Sequence, residues 1–237
     1  MKTAPKLLTL LFVLFVGLQS YGATGNERGK VRNVKNFQAI KVSSGIDLYL
    51  KMGSSETLKI EADNDLLDDI VTEVKNGTLY INMKRQNNWF NWGSNRSAKI
   101  FVTVKKLNEL DVSAGCDVKS ENTLEGEELK VQASSGSEVN LDVYYKTLSV
   151  SSSSGSDARV KGKVKNFVAK ASSGSDIKAR ELEAAIGKLT ASSGSDISVT
   201  ITDELYAKAS SGADIKYYGN PKIKDTDTSS GGDISQR

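Results

Sequence analysis

The sequence predicts an all-β fold, a parallel β-solenoid with coils of about 19–20 residues. Three observations predict it. A serine–glycine–acid motif recurs at nearly constant spacing. Apolar and polar residues alternate on both sides of each copy. No stretch inside the repeat carries a helical period of useful length.

The motif reads "ASSGSDI" at residues 171–177 and again at 191–197. Its glycines are Gly45, Gly115, Gly136, Gly155, Gly174, Gly194, Gly212 and Gly231, and from Gly115 onward the steps are 21, 19, 19, 20, 18 and 19 residues. Two residues after each glycine stands an acid: Asp47, Asp117, Glu138, Asp157, Asp176, Asp196, Asp214 and Asp233. Three after it stands an apolar residue, from Leu48 and Val118 to Ile215 and Ile234. Before the glycine, "LKVQASSG", "FVAKASSG" and "LYAKASSG" place an apolar residue at every second position. Period two means strands with one buried face. A step near 19 is too short for a βαβ unit, which needs about 30 residues, or for a propeller blade of about 40 or more. It suits one coil of short strands joined by tight corners. The inward residues shrink from Leu or Phe to Ala or Ser toward the corner, the taper that a narrow coil requires.

The first copy, "FQAIKVSSGIDLYL" at residues 37–50, is followed by a segment that leaves the period. "SETLKIEAD", "NGTLYINMK" and "SAKIFVTV" read as strands, Asn76–Gly77 as a turn, and "DNDLLDDIVTEV" as holding a short helical turn. This region, residues 31–108, is expected to be β structure continuous with the solenoid, extending or covering one end. The repeat solenoid follows at 109–237, with a weak last coil carrying Pro221 and few apolar residues.

Residues 1–22 read as a secretory signal peptide: Lys2 and Lys6, then "LLTLLFVLFVGL", then small and polar residues that allow cleavage after Gly22 or Ala23. No cysteine near that site offers a lipid attachment point. No later stretch reaches the roughly 20 apolar residues of a membrane span. The chain is therefore expected to be exported.

Composition narrows the chemistry. The chain has 237 residues, no histidine and one cysteine, Cys116, so an intrachain disulfide is impossible and the usual general base is missing. Cys116 occupies a position where sister copies carry serine or alanine, and reads as a small side chain in a small slot. The formal charge is +3, with lysines and acids interspersed, and no basic block points to nucleic acid. No cofactor is implied.

The polar rows allow three readings. In the first, Gly115, Gly136, Gly155, Gly174, Gly194 and Gly212 with the acids Asp117, Glu138, Asp157, Asp176, Asp196 and Asp214 form a structural turn ladder. The glycine takes a positive φ, and the acid and serines accept backbone N–H bonds. In the second, acids stacked at about 4.8 Å bind calcium. Calcium-binding solenoids, however, carry more glycines in a shorter repeat. In the third, a carboxylate pair does hydrolytic chemistry. The acids recur in nearly every coil with none singled out, and "GSD" lacks the glycine and the histidine of a nucleophile elbow. We read the chain as non-enzymatic and the ladder as structural.

The best binding candidate is the loop with Trp89, Phe90 and Trp92, flanked by Arg85 and Arg96. Aromatic rings are favoured at contacts. The same rings could instead cap the end of the solenoid. Two tyrosine pairs, Tyr144–Tyr145 and Tyr217–Tyr218, should each place one ring inward and one outward.

With its signal peptide, "FQAIKVSSGIDLYLKMGSSETLKIEAD", "AKIFVTVKKLNELDVSAGCDVKS" and the repeated "ASSGSDI", the chain resembles the autotransporter adhesin, head GIN domain family of exported Bacteroidetes-type proteins. The resemblance covers roughly residues 31–218, and "GID" at 45–47 stands in the place of the family's short motif. It implies a right-handed parallel β-helix, an envelope or surface location and no catalytic residues. The expected function is a secreted binding module, an adhesin contacting an envelope or surface glycan or protein. The alternatives are an envelope structural or sensing accessory and a calcium-binding solenoid.

Overall fold

A computed structural model of the chain describes residues 28–84 and 98–237. The coil closes through the backbone of its corner. Ser135 and Gly136 have φ of 56° and 67°, and Ser154–Gly155, Ser173–Gly174, Ser193–Gly194 and Ser211–Gly212 repeat the pair almost unchanged. Ser44–Gly45, Ala114–Gly115 and Ser230–Gly231 do the same. Two successive left-handed residues make the sharp bend of a type I′ turn. The glycine was expected to adopt a positive φ, but the residue before it does so too. A non-glycine residue there costs about 1–2 kcal/mol. Two sets of bonds offset that cost. The glycine N–H donates to the carbonyl of the left-handed residue in the next coil, as from Gly136 to Ser154 and from Gly155 to Ser173 at 3.1 and 3.2 Å. The side chain after the glycine then turns inward. Ser137, Ser156, Ser175 and Ser195 are all buried there. Ser156 Oγ accepts from Ser153 N–H at 3.1 Å and lies 2.9 Å from the Ala133 carbonyl of the preceding coil. Ser175 Oγ repeats this with Ser172 N–H and the Ser152 carbonyl, at 3.1 and 2.7 Å.

The strands between corners pair in parallel. β10 (Leu124–Ala133), β11 (Glu138–Ser152), β12 (Asp157–Ala171), β13 (Asp176–Ser192) and β14 (Asp196–Ser210) stack one on the next. Most of them run unbroken from one corner, around the far bend, to the next corner. Alternate residues fill the interior: Leu129, Leu148, Phe167 and Leu205 in one row far from the corner, and Ala133, Ser152, Ala171, Ala191 and Ala209 in the row beside it. The tyrosine pairs divide as expected. Tyr145 and Tyr217 are buried, and Tyr144 is 62% exposed. The Tyr145 hydroxyl donates to the Leu107 carbonyl at 2.9 Å, and burial pushes its pKa up.

The first copy stacks directly on the second, although 70 residues separate their glycines. β2 (Ala39–Val42) pairs with β8 (Glu109–Val112), and β3 (Asp47–Met52) pairs with β9 (Asp117–Ser120), both in parallel. The intervening chain goes below them. β6 (Thr78–Met83) and β7 (Ala98–Val104) run parallel under β2 and β3 as one further coil. Antiparallel strands close the end: β5 (Ile70–Lys75) against β6 through the Asn76–Gly77 turn, β4 (Thr57–Ala62) against β7, and β1 (Arg28–Arg32) against β4. The short helix α1 (Asn64–Leu67) joins β4 to β5.

Both ends carry polar groups in the inward rows. At the β1 end, Lys30 lies in the row of Ile60 and Ile100, and Arg32 in the row of Leu58 and Val102. The Arg32 guanidinium crosses the open end of the core and donates to the carbonyls of Ile70 and Leu67 and to Thr72 Oγ1, at 2.6, 2.9 and 2.9 Å. At the other end β16 (Ile223–Ser229) pairs with β14, and β17 (Asp233–Gln236) pairs with β15 (Asp214–Tyr218). There Lys224, Thr226 and Thr228 replace the Leu205, Ala207 and Ala209 of the row beneath. Inward-facing charge at an edge discourages another strand from adding to it.

Candidate binding surface

The outward positions of the first half-coil form two neighbouring rows. One holds Asp47, Asp117, Glu138, Asp157, Asp176, Asp196, Asp214 and Asp233, each paired in register with the next. The other, two residues on, holds Tyr49, Lys119, Asn140, Arg159, Lys178, Ser198, Lys216 and Ser235. Like charges one strand apart repel by about 1 kcal/mol in bulk water and more at a protein surface. The second row compensates. Lys178 sits 3.0 Å from both Asp157 and Asp176, and Arg159 reaches Glu138 and Asp157. Partial burial opposes the Lys178 charge, but its bonds to the two carboxylates outweigh that and raise its pKa. Among the described residues no carboxylate of the acid row accepts a corner N–H. The buried serine takes that role, because its side chain points in and the acid's points out.

The rows are flat except where the coil length changes. The register offset between the coils of Gly115 and Gly136 falls from 21 at Lys119–Asn140 to 19 at Leu124–Val143. Two extra residues therefore lie within 120–123. The coil of Gly174 carries one extra residue between Lys178 and Leu182 relative to the coil before it. It bulges further against the coil after it, where Ala179 pairs with Val199 and Glu183 with Thr200. These two bulges are the walls of an open cleft of about 500 Å³, and the two regular coils between them are its floor. The signal was present in the sequence: the steps of 21 and 20 are the two longest in the repeat. The motif itself is unbroken there, so it singles out no coil.

Both walls are fixed. Asn122 pairs with the backbone of Met52 as a strand would, its Oδ1 accepting from N–H at 2.8 Å and its Nδ2 donating to the carbonyl at 3.0 Å. On the other wall Thr200 Oγ1 donates to the Arg180 carbonyl at 2.7 Å, and the Arg180 guanidinium lies 4.6 Å from the centre of the Tyr218 ring. The floor presents Asn140 and Arg159 from the second row, with Lys161 held 3.4 Å from Asp142 beside them, and Lys178 stands at the foot of the second wall. Lys119 lies at the first wall and Arg180 at the second.

A smaller hollow of about 200 Å³ adjoins Tyr49, with Asp47, Asp117 and Glu138 along it. Partial burial, then the charges of Asp47 and Glu138, raise the Asp117 pKa. Among the described residues no group of three or more His, Cys, Asp or Glu side chains is arranged to hold a metal ion. Tyr49 and Phe101 stack with ring centres 4.9 Å apart and planes at 15°, so each covers a face of the other. Cys116 is buried in the serine row and accepts from Ile46 N–H at 3.3 Å, and burial pushes its thiol pKa up. The sequence-derived candidates Arg85, Trp89, Phe90, Trp92 and Arg96, like residues 1–22, lie outside the described residues.

Several solved structures share this architecture. A putative adhesin of Bacteroides fragilis superposes with a TM-score of 0.83 at 22% identity, over 89% of this chain and 97% of that one. A putative lipid binding protein of Parabacteroides distasonis gives 0.70 at 23% identity over 90% and 98%, and a putative adhesin of Parabacteroides merdae 0.69 at 16% over 90% and 97%. At these identities the likeness shows the fold. No curated protein matches the sequence. The profile of the family described as "Putative auto-transporter adhesin, head GIN domain" matches residues 36–221, and the chain belongs to that family.

Proposed function

We propose that the protein is a non-enzymatic binding module of the cell envelope or cell surface, contacting a glycan or protein there. One observation carries the reading. A stiff stack of coils is interrupted by a preformed cleft, lined by charged and amide side chains, whose two walls are tied down by hydrogen bonds. Preorganisation of this kind lowers the entropic cost of binding. The family and the names of the similar structures support an adhesin role. Export through residues 1–22 belongs to the same proposal. Among the described residues no helix is long and apolar enough to cross a membrane. The loop with Trp89 and Trp92 is proposed as a second contact.

The test is to screen the purified protein against a glycan panel and against envelope fractions from bacterial and host cells. Saturable binding supports the reading. A folded protein without affinity for any of these would overturn it. Loss of binding in a folded Trp89→Ala/Trp92→Ala variant assigns the loop a contact role, and unfolding of that variant makes the rings a cap.

A further inference from the structure

We infer that the open face of Tyr49, with the groove that leads from it into the cleft, is a subsite for a neutral oligosaccharide. The inference rests on the binding-module reading and names the ligand class of that site. In the second outward row Phe101, Tyr49, Lys119 and Asn140 stand on successive strands. Phe101 backs one face of the Tyr49 ring, with the two planes 15° apart. Parallel rings on neighbouring strands both stand across the row, so the other face of Tyr49 is turned toward Lys119. There Tyr49 lines the hollow of about 200 Å³. Lys119 and Asn140 line both this hollow and the larger cleft, so the two join in one groove.

An upright ring at the end of a groove is a platform for a ligand with one flat apolar face. A sugar ring has such a face in its C–H groups, with hydroxyls around its rim. Tyr49 and Asn140 are two strand steps apart, about 10 Å at the spacing of paired strands. Only Lys119 stands between them in the row, and among the described residues it has no ion-pair partner to hold it there. With that flexible side chain swung outward, a sugar ring fits about 4 Å from the phenol. Its hydroxyls then point toward Asn140. The Asn140 amide is already oriented: it donates to Glu138 Oε1 at 2.9 Å, which leaves its carbonyl oxygen and second N–H for a ligand. The charge of the groove favours neutrality. Together the two hollows present five cationic side chains and six carboxylates. Arg159 pairs with Glu138 and Asp157, and Lys161 with Asp142. An anion beside Tyr49 would face Asp47, Asp117 and Glu138, and a cation would face Lys119. A hydroxyl both donates and accepts, so it can bridge such mixed groups with no charge of its own.

The experiment measures binding of cellotetraose, xylotetraose, mannotetraose and N-acetylchitotetraose to the purified protein by calorimetry, with oligogalacturonate as the anionic comparison. At least one neutral sugar should bind, and its affinity should change less than about twofold on raising the salt about tenfold, because salt screens only charges. Tyr49→Ala should weaken binding about tenfold, and Tyr49→Phe, which keeps the ring, should stay within about threefold of the parent. Lys119→Phe lays a third ring on the open face and fills the slot. It should weaken binding about tenfold or more while the melting midpoint holds or rises, since cross-strand aromatic pairs stabilise a sheet. If Tyr49→Ala does not fold, Lys119→Phe decides. Unchanged affinity in Lys119→Phe or in a folded Tyr49→Ala, oligogalacturonate binding tighter than every neutral sugar, or no binding to any neutral sugar would overturn the inference. If acidic glycans or envelope fractions still bind in that case, the ligand class falls and the binding module stands. If nothing binds, both fall.

Discussion

Replacing Gly162 by alanine should be far more damaging than replacing Gly155, the glycine of a corner. At Gly155 φ is +68°, and an added Cβ meets nothing within 4 Å. The cost is the left-handed conformation alone, about 1–2 kcal/mol. The stiffer unfolded chain returns about 0.4–1 kcal/mol, so the net loss is about 1 kcal/mol. Gly162 has φ of +114°, outside the left-handed well, and its Cβ would sit 2.1 Å from the carbonyl oxygen of Val143 and 3.0 Å from its carbon. Val143 is the register partner of Gly162 in the neighbouring strand. Relief therefore requires breaking the pairing of β11 with β12, and the loss should exceed about 4 kcal/mol, in the exceptional range for one substitution. Gly219 provides a second case, with φ of +90° and a Cβ 2.3 Å from the Ile201 carbonyl oxygen. The assay is a urea titration followed by circular dichroism on the three variants, comparing midpoints because stacked coils can unfold in parts. If Gly162→Ala unfolds at the same urea concentration as Gly155→Ala, the close-approach reasoning is wrong.

Three further outcomes are expected. Arg32→Met should lower the melting midpoint by the equivalent of about 2 kcal/mol, because the carbonyls of Ile70 and Leu67 lose a charged donor at the end of the core; an unchanged midpoint would mean water replaces it without loss. Asp117 has a raised pKa in the fold, so the folded chain holds its proton more tightly than the unfolded chain and ionisation opposes folding. Asp117→Asn should therefore be more stable than the parent at pH 7, and the difference should vanish below the ordinary aspartate pKa of about 3.9; melts at pH 3 and pH 7 decide it. Millimolar calcium should leave the midpoint where a chelator leaves it, since a bound ion would raise it through linkage; a clear rise would return the acid row to metal binding.

The coil, its parallel pairing and the position of its corners were legible in the sequence, because each copy repeats the same alternation around the same glycine. The place of the first copy was not. The segment between Gly45 and Gly115 reads as a departure from the period, but it passes below through β6 and β7 and returns, so "SSGID" stacks on "SAGCD". Pairing between strands distant in the chain leaves no local mark. The acid's chemistry alone points to turn capping, since aspartate commonly caps turns. Which of two adjacent side chains faces the interior decided otherwise: the serine caps and the acid pairs with lysine and arginine.

The sequence by itself determined the unit, because period-two alternation and a recurrent tight bend admit few backbones, and the missing histidine excludes whole classes of chemistry. Tertiary structure decided the site. A step of 21 or 20 residues differs little from 19 when read along the chain. Only when the coils stack must an extra residue bulge outward, and only two bulges on the same side of the stack enclose a cleft with Lys119 and Arg180 on its facing walls.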